Sequence, residues 1–161
     1  MNDVQILQRL SDLGIDLPPA PVPVAAYVPV RFSGDTAYVA GQVGIVGGKV
    51  VNPGRLGDPV LHITVEQGQE AARQAALQSL SALREALGGS FDRLVSILQV
   101  TVYVSASPDF VEHPKVANGA SELLEQVLGE PGTHARAAIG VSSLPLGGSV
   151  EVALTARVEP A

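Results

Sequence analysis

Residues 133–158 read THARAAIGVSSLPLGGSVEVALTARV. Val150, Val152, Leu154, Ala156 and Val158 alternate with Glu151, Ala153, Thr155 and Arg157, a period of two that predicts a strand with one apolar face. Before the turn-forming SLPLGG, Ile139 and Val141 share one face of a second strand, and Arg136, Ala138, Gly140 and Ser142 share the other. Strands are therefore predicted near 136–142 and 149–158. The alternation sets Glu151 opposite the core-facing residues, and the small residues around Arg136 leave open space above the sheet. The two side chains are expected to face one shared hollow. There the guanidinium could grip a planar carboxylate through two parallel hydrogen bonds, and the carboxylate could orient or deprotonate a water. Spacing by itself leaves an ordinary interstrand or intersubunit ion pair as the commoner explanation of such residues.

Upstream, VANGASELL lies in a helical pattern from about Pro114 to Leu128, with Val116, Ala120, Leu123, Leu124 and Val127 on one face and Gly129 past its end. LVSILQVTVYV is apolar on both alternating faces, Ile97, Thr101 and Tyr103 on one and Leu98, Val100, Val102 and Val104 on the other, and reads as a strand covered from both sides. Thr64 and Gln67 form a capping box ahead of a stripe of Ala72, Ala76, Leu80, Leu83 and Leu87 that stops at Gly88-Gly89. AAYVPVRFSG and TAYVAGQVGIVGGKVV flank Gly34-Asp35 as a hairpin, with Pro29 marking an edge or bulge. Val4, Leu7, Leu10 and Leu13 predict a first short helix. It is followed by the connector DLPPAPVP, which sets residues 1–21 apart as an appendage to a domain at 22–161.

This order is an α+β pattern with two main helices for one face of a mixed sheet of six strands. A central strand apolar on both faces needs a second cover, and another copy of the chain supplies one most simply. The chain has 161 residues, 46% of them apolar, which suits a single cored domain. Its net charge of −6, with ten scattered Lys and Arg, argues against a nucleic-acid partner. It has no cysteine, hence no disulfide and no thiolate nucleophile or metal ligand. No pair of His has metal-ligand spacing, no glycine run forms a phosphate loop, and no stretch approaches a membrane span. The N-terminus lacks a basic region followed by an apolar core, so a soluble cytoplasmic protein is expected.

ARAAIGVSSLPLGGSVEVALTA resembles the ending of the Rid proteins, also called the YjgF-like or reactive-intermediate-deaminase family, with its Arg-containing strand, Leu-Pro turn and V-E strand. AYVPVRFSGDTAYVAGQVG is similar to that family's opening hairpin with its Gly-Gln pair. FDRLVSILQVTVYVSASPDF is similar to its central strand, and VANGASELL to the helix that carries its asparagine. The resemblance covers 22–158; the first helix and connector look like those of a longer branch.

It implies a chorismate-mutase-like fold assembled as a homotrimer with sites at the subunit seams, and hydrolysis of reactive 2-enamines and 2-imines to 2-keto acids and ammonia without cofactor or metal. Carried over by position, Arg136 binds the carboxylate and Glu151 positions the water, while Asn118 and Tyr27 line the pocket. Gln42, of the Gly-Gln pair, faces either a neighbouring strand or a ligand; from spacing rather than resemblance, His134, two residues before Arg136, either shares its face and reaches the same pocket as a proton carrier or lies in the preceding loop. The active branch usually has Ser before the Gly-Gln pair and Cys two residues after the arginine; this chain has Ala40 and Ala138. That departure keeps open a second reading, a non-catalytic trimeric binder of small 2-keto or other carboxylic acids.

Overall fold

The computed structural model describes residues 2–22 and 26–160. The elements in chain order are helix α1 (Asp3–Asp12), strands β1 (Val30–Ser33), β2 (Thr36–Val43), β3 (Ile45–Val46), β4 (Lys49–Val50), β5 (Arg55–Leu56) and β6 (His62–Ile63), helix α2 (Val65–Ala86), strand β7 (Leu94–Ser105), helix α3 (His113–Leu128), and strands β8 (Ala135–Val141) and β9 (Val150–Val158). The main sheet runs β1-β2-β9-β7-β8. Its pairs are antiparallel except β7 with β8, which α3 joins as a crossover. The sheet thus has five strands where six were expected: β3 with β4 and β5 with β6 form separate two-stranded pieces between β2 and α2. The chain there is broken by left-handed glycines at 47, 48, 54 and 57, too frequent for a sixth full strand.

Both long helices lie on one face. α2 opens with the capping box, Gln67 N donating to Thr64 Oγ1 at 3.1 Å and Thr64 N to Gln67 Oε1 at 3.0 Å. Its buried side carries Ala71, Ala72, Ala75 and Ala76, each at most 2% exposed, so its axis can approach the sheet and α3 closely. Leu77, Leu80 and Leu83 lie in the same buried cluster as Val100, Val102, Val152 and Leu154 from β7 and β9. Each such side chain contributes about 1.5–3 kcal/mol by leaving water.

Two features of the chain read differently in the fold. Register irregularities fall in β7 between Leu94 and Ser96 and between Ile97 and Gln99. The second turns Ile97 into the core, 2% exposed, and leaves Leu98 43% exposed, the reverse of simple alternation. The helix-free face of the sheet carries Tyr38 and Ile139, both about half exposed, beside Tyr103.

Helix α1 is also no appendage. Ile6 and Leu10 are buried in the common core. Asp3 receives two hydrogen bonds from the Arg84 guanidinium, at 2.9 and 3.0 Å, and a third from Phe91 N. The Arg84 hydrogen bond holds the Asp3 carboxyl below its ordinary pKa range. The connector is tied down as well, with Gln78 Nε2 donating to Pro19 O and Ser81 Oγ to Pro18 O.

At the crossing of α2 and α3, Gly119 lies against the Gln69 backbone, and a Cβ there would overlap the Gln69 carbonyl. Backbone cannot swing aside as a flexible side chain can. Gly119→Ala is therefore expected to destabilise the fold by about 1–3 kcal/mol, lowering Tm by several degrees in thermal unfolding. An unchanged Tm would show that the helices separate freely at this point.

Candidate active site

Glu151 stands on β9 between core-facing Val150 and Val152, both fully buried, so its own side chain emerges on the helix-free face. Its register partners are Tyr103 on β7 and Val43 on β2. The carboxyl lies over Gly41, where a Cβ would overlap its Oε1. Gly41 is thus required by close approach, and the register shift in β2 between Val39 and Gln42 makes the room. Beyond the shift Gln42 turns inward, 7% exposed, with Nε2 donating to Ala40 O at 3.1 Å.

A cavity of about 650 Å3 opens beside this strand end, lined by Glu151, Gly41, Gln42, Tyr27, Leu146 and the connector prolines, among others. Tyr27 sits just before β1 and is half exposed. Burial against this largely apolar lining raises the Glu151 carboxyl above its ordinary pKa.

Arg136 belongs to a different surface. β8 pairs in parallel with β7 so that Arg136, Ala138 and Gly140 stand level with Val100, Val102 and Val104, the core-facing side of β7. Arg136 therefore points to the helix side at the sheet edge. Its Nη1 donates to Asn118 Oδ1 at 2.9 Å and to Ser121 Oγ at 3.1 Å, and its Nη2 donates to Pro114 O at 3.3 Å. The expected face-sharing of Arg136 with Glu151 does not hold within one chain, because their strands attach to β7 at positions of opposite parity: Val100 for Arg136 and Tyr103 for Glu151.

His134 sits in the loop before β8 and backs this group. Its Nδ1 is 2.6 Å from Gly132 O, and its Nε2 is 3.0 Å from Ser121 Oγ. A carbonyl only accepts, so Nδ1 carries a hydrogen, and the Ser121 oxygen beside Nε2 accepts from Arg136 Nη1. Ala138, two residues along β8, packs against the core edge.

The structure thus makes two clusters. Arg136, Asn118 and His134 form one with Ser121; Glu151, Gln42 and Tyr27 form the other with Gly41. Sequence reasoning missed Ser121, although 114, 118 and 121 repeat at helical spacing on one face of α3. Among the described residues no three His, Asp or Glu side chains are grouped so as to hold a metal ion.

The profile of the family described as "YjgF/chorismate mutase-like, putative endoribonuclease" matches residues 7–158. The chain belongs to this family. It is 44% identical to protein TCP17 of Trypanosoma cruzi over 151 residues, 92% of this chain and 91% of that one. The crystal structure of protein Atu1372 from Agrobacterium tumefaciens superposes with a TM-score of 0.90 at 38% identity, over 98% of this chain and 94% of the other. RidA from an Antarctic Psychrobacter superposes with a TM-score of 0.56 at 27% identity, over 86% of this chain and 94% of the other. The family match takes in the connector and part of α1, consistent with their place in the core. No helix among the described residues is long and apolar enough to cross a membrane.

A carboxyl raised by burial binds its proton more tightly folded than unfolded. Its stabilising contribution is complete below the ordinary value of 4.5 and is lost as pH rises through the higher folded value. At neutral pH the ionised Glu151 therefore costs stability. Glu151→Gln is expected to raise Tm above that of the wild type at pH 7–8, with the difference closing by about pH 4. Melting curves across that range check it, and a lower Tm for the variant at pH 8 would contradict the assignment.

Proposed function

We propose that the two clusters are halves of one site, completed when Arg136 of one protomer meets Glu151 of the next in a homotrimer, and that the site hydrolyses 2-enamines and 2-imines to 2-keto acids and ammonia. The observation that carries this reading is the division itself. An arginine held ready for a carboxylate and a half-buried carboxyl beside a cavity lie on opposite faces of one sheet, where neither can serve the other within a chain. The half-exposed Tyr38 and Ile139 on the helix-free face supply an apolar surface for the neighbouring copy.

Three of the five guanidinium hydrogens of Arg136 are committed to Asn118, Ser121 and Pro114. Two remain, enough for one bidentate substrate carboxylate. With the acid group fixed, the imine carbon lies next to the carboxyl of the neighbouring Glu151. That carboxylate accepts a proton from water as the oxygen bonds to carbon, and a raised pKa suits it to a base working near neutrality. Collapse of the resulting amino alcohol breaks the C–N bond. Starting from the protonated imine, the proton on Glu151 goes to the departing nitrogen, and the hydroxyl returns its own proton to the Glu151 carboxylate as its oxygen becomes the carbonyl. Ammonia leaves, the 2-keto acid remains, and the last proton passes to solvent. Positioning supplies much of the acceleration, since the imine carbon is already electrophilic.

Ala40 and Ala138 favour a second reading, in which the same seam binds a small keto or other carboxylic acid without turning it over, because two polar groups usual in the active branch are missing.

The proposal is tested by generating 2-aminoacrylate with a serine dehydratase and following pyruvate release. The wild type is expected to accelerate release, and Arg136→Ala to lower kcat/KM on the order of 100-fold. Arg136→Ala and Glu151→Gln chains, each inactive alone, should regain activity when unfolded and refolded together, in about a quarter of the sites of a randomly mixed trimer. Acceleration by the wild type without such complementation would place the site within one chain. No acceleration, combined with stabilisation by pyruvate that Arg136→Ala abolishes, selects the binding reading.

A further inference from the structure

Resting on the reading of Glu151 and Arg136 as one seam site, we propose that the proline connector and Leu146 form a side-chain subsite that selects 2-imino acids bearing a branched or aromatic apolar group over three-carbon ones. The cavity next to Glu151 holds about 650 Å3. A three-carbon imino acid has six heavy atoms and fills only on the order of 150–200 Å3, at the ~30 Å3 a water-sized group takes in a liquid. The remaining wall is mainly apolar: beside the amides of Gln42 and Gln78 and the Tyr27 ring stand Pro21 and Val22 from the connector, Ile45 from β3, and Leu146 from the turn before β9. Such a lining recognises hydrocarbon, and its only carboxyl, Glu151, lies where the reacting carbon is placed.

Two further observations show that the wall is built. The connector is fastened to α2 by the Gln78 and Ser81 hydrogen bonds to Pro19 and Pro18 carbonyls, from residues only 7% and 3% exposed. Leu146, in turn, adopts φ 58°, a left-handed conformation that glycine or asparagine would take with less strain. Its side chain is 73% exposed and fills no core. Backbone strain that contributes nothing to packing marks a residue held in place for its contact with something else. The cavity is what Leu146 meets.

2-Imino acids made in situ from alanine, leucine and phenylalanine by an L-amino-acid oxidase, with semicarbazide capturing unhydrolysed imine, give the comparison. The wild type is expected to show a kcat/KM at least roughly tenfold higher on the leucine-derived than on the alanine-derived imine. Leu146→Gly should bring that ratio towards one while its Tm stays level or rises, since the substitution relieves strain. A second readout does not depend on turnover: 4-methyl-2-oxopentanoate should bind more tightly than pyruvate in thermal-shift titration, and Leu146→Gly should narrow the gap. Equal binding of the two keto acids, or a ratio unmoved by Leu146→Gly, overturns the subsite even if hydrolysis is established. Tighter binding of the larger acid without any hydrolysis keeps the subsite and removes only the catalytic reading.

Discussion

The ladder that joins β8, β7 and β9 is the constraint from which the remaining geometry follows. In a strand each residue looks to the opposite side from its neighbours, and residues paired across a ladder look to the same side. Once Val100, Val102 and Val104 are committed to the helices, Arg136 must follow them through its pairing with Val100, and Glu151 must oppose them through its pairing with Tyr103. A shift of one residue in the β7–β9 pairing would bring the two side chains to one face, but it would also expose Val150 and Val152 and bury Glu151 beneath α2. The hydrophobic cost of that slip, several apolar side chains at about 1.5–3 kcal/mol each, exceeds anything an ion pair could return. The core therefore dictates the face on which Glu151 emerges, opposite to that of Arg136.

Much of the molecule is legible in its sequence. The capping box at Thr64, the alanine and leucine stripe of α2, the span of α3 and the two closing strands follow from periodicity and turn chemistry, because each is a local property of the chain. What failed were inferences that crossed between elements. Faces within β8 and within β9 were assigned correctly, but which face of one matched which face of the other depends on the β7 pairings, and no periodicity reports those. The bulge at Ile97 inverted a face for the same reason: an irregularity in pairing leaves no mark in an otherwise alternating run. The docking of α1 is not legible locally because its anchors, Ile6 and Leu10 in the common core and Asp3 with Arg84 and Phe91 N, involve residues far apart in the chain.

Glycine supplied a signal that composition alone undervalues. Gly41 and Gly119 both sit where another group would collide with a Cβ, in one case the carboxyl of Glu151 and in the other the backbone of α2. At Gly119 the beneficiary is packing. At Gly41 it is the placement of a half-buried carboxyl over bare backbone, beside a cavity. The neighbouring Gln42 then turns into the interior through the same irregularity of β2.

The two clusters are stabilised in opposite ways, and that difference suits the chemistry proposed for them. Arg136 is surrounded by acceptors, an amide, a hydroxyl and a carbonyl, none of which carries a charge. Its orientation is fixed while, among the described residues, no carboxylate is paired with it, which suits the carboxylate-binding role proposed for it. Glu151 has the converse setting. Among the described residues no cation is paired with it, and burial disfavours its ionised form. Had the fold joined them within one chain, each would have neutralised the other: the arginine would lose its grip on substrate, and the carboxyl would become too weak a base to activate water. Keeping them on opposite faces preserves both properties, as the proposed seam between two chains requires.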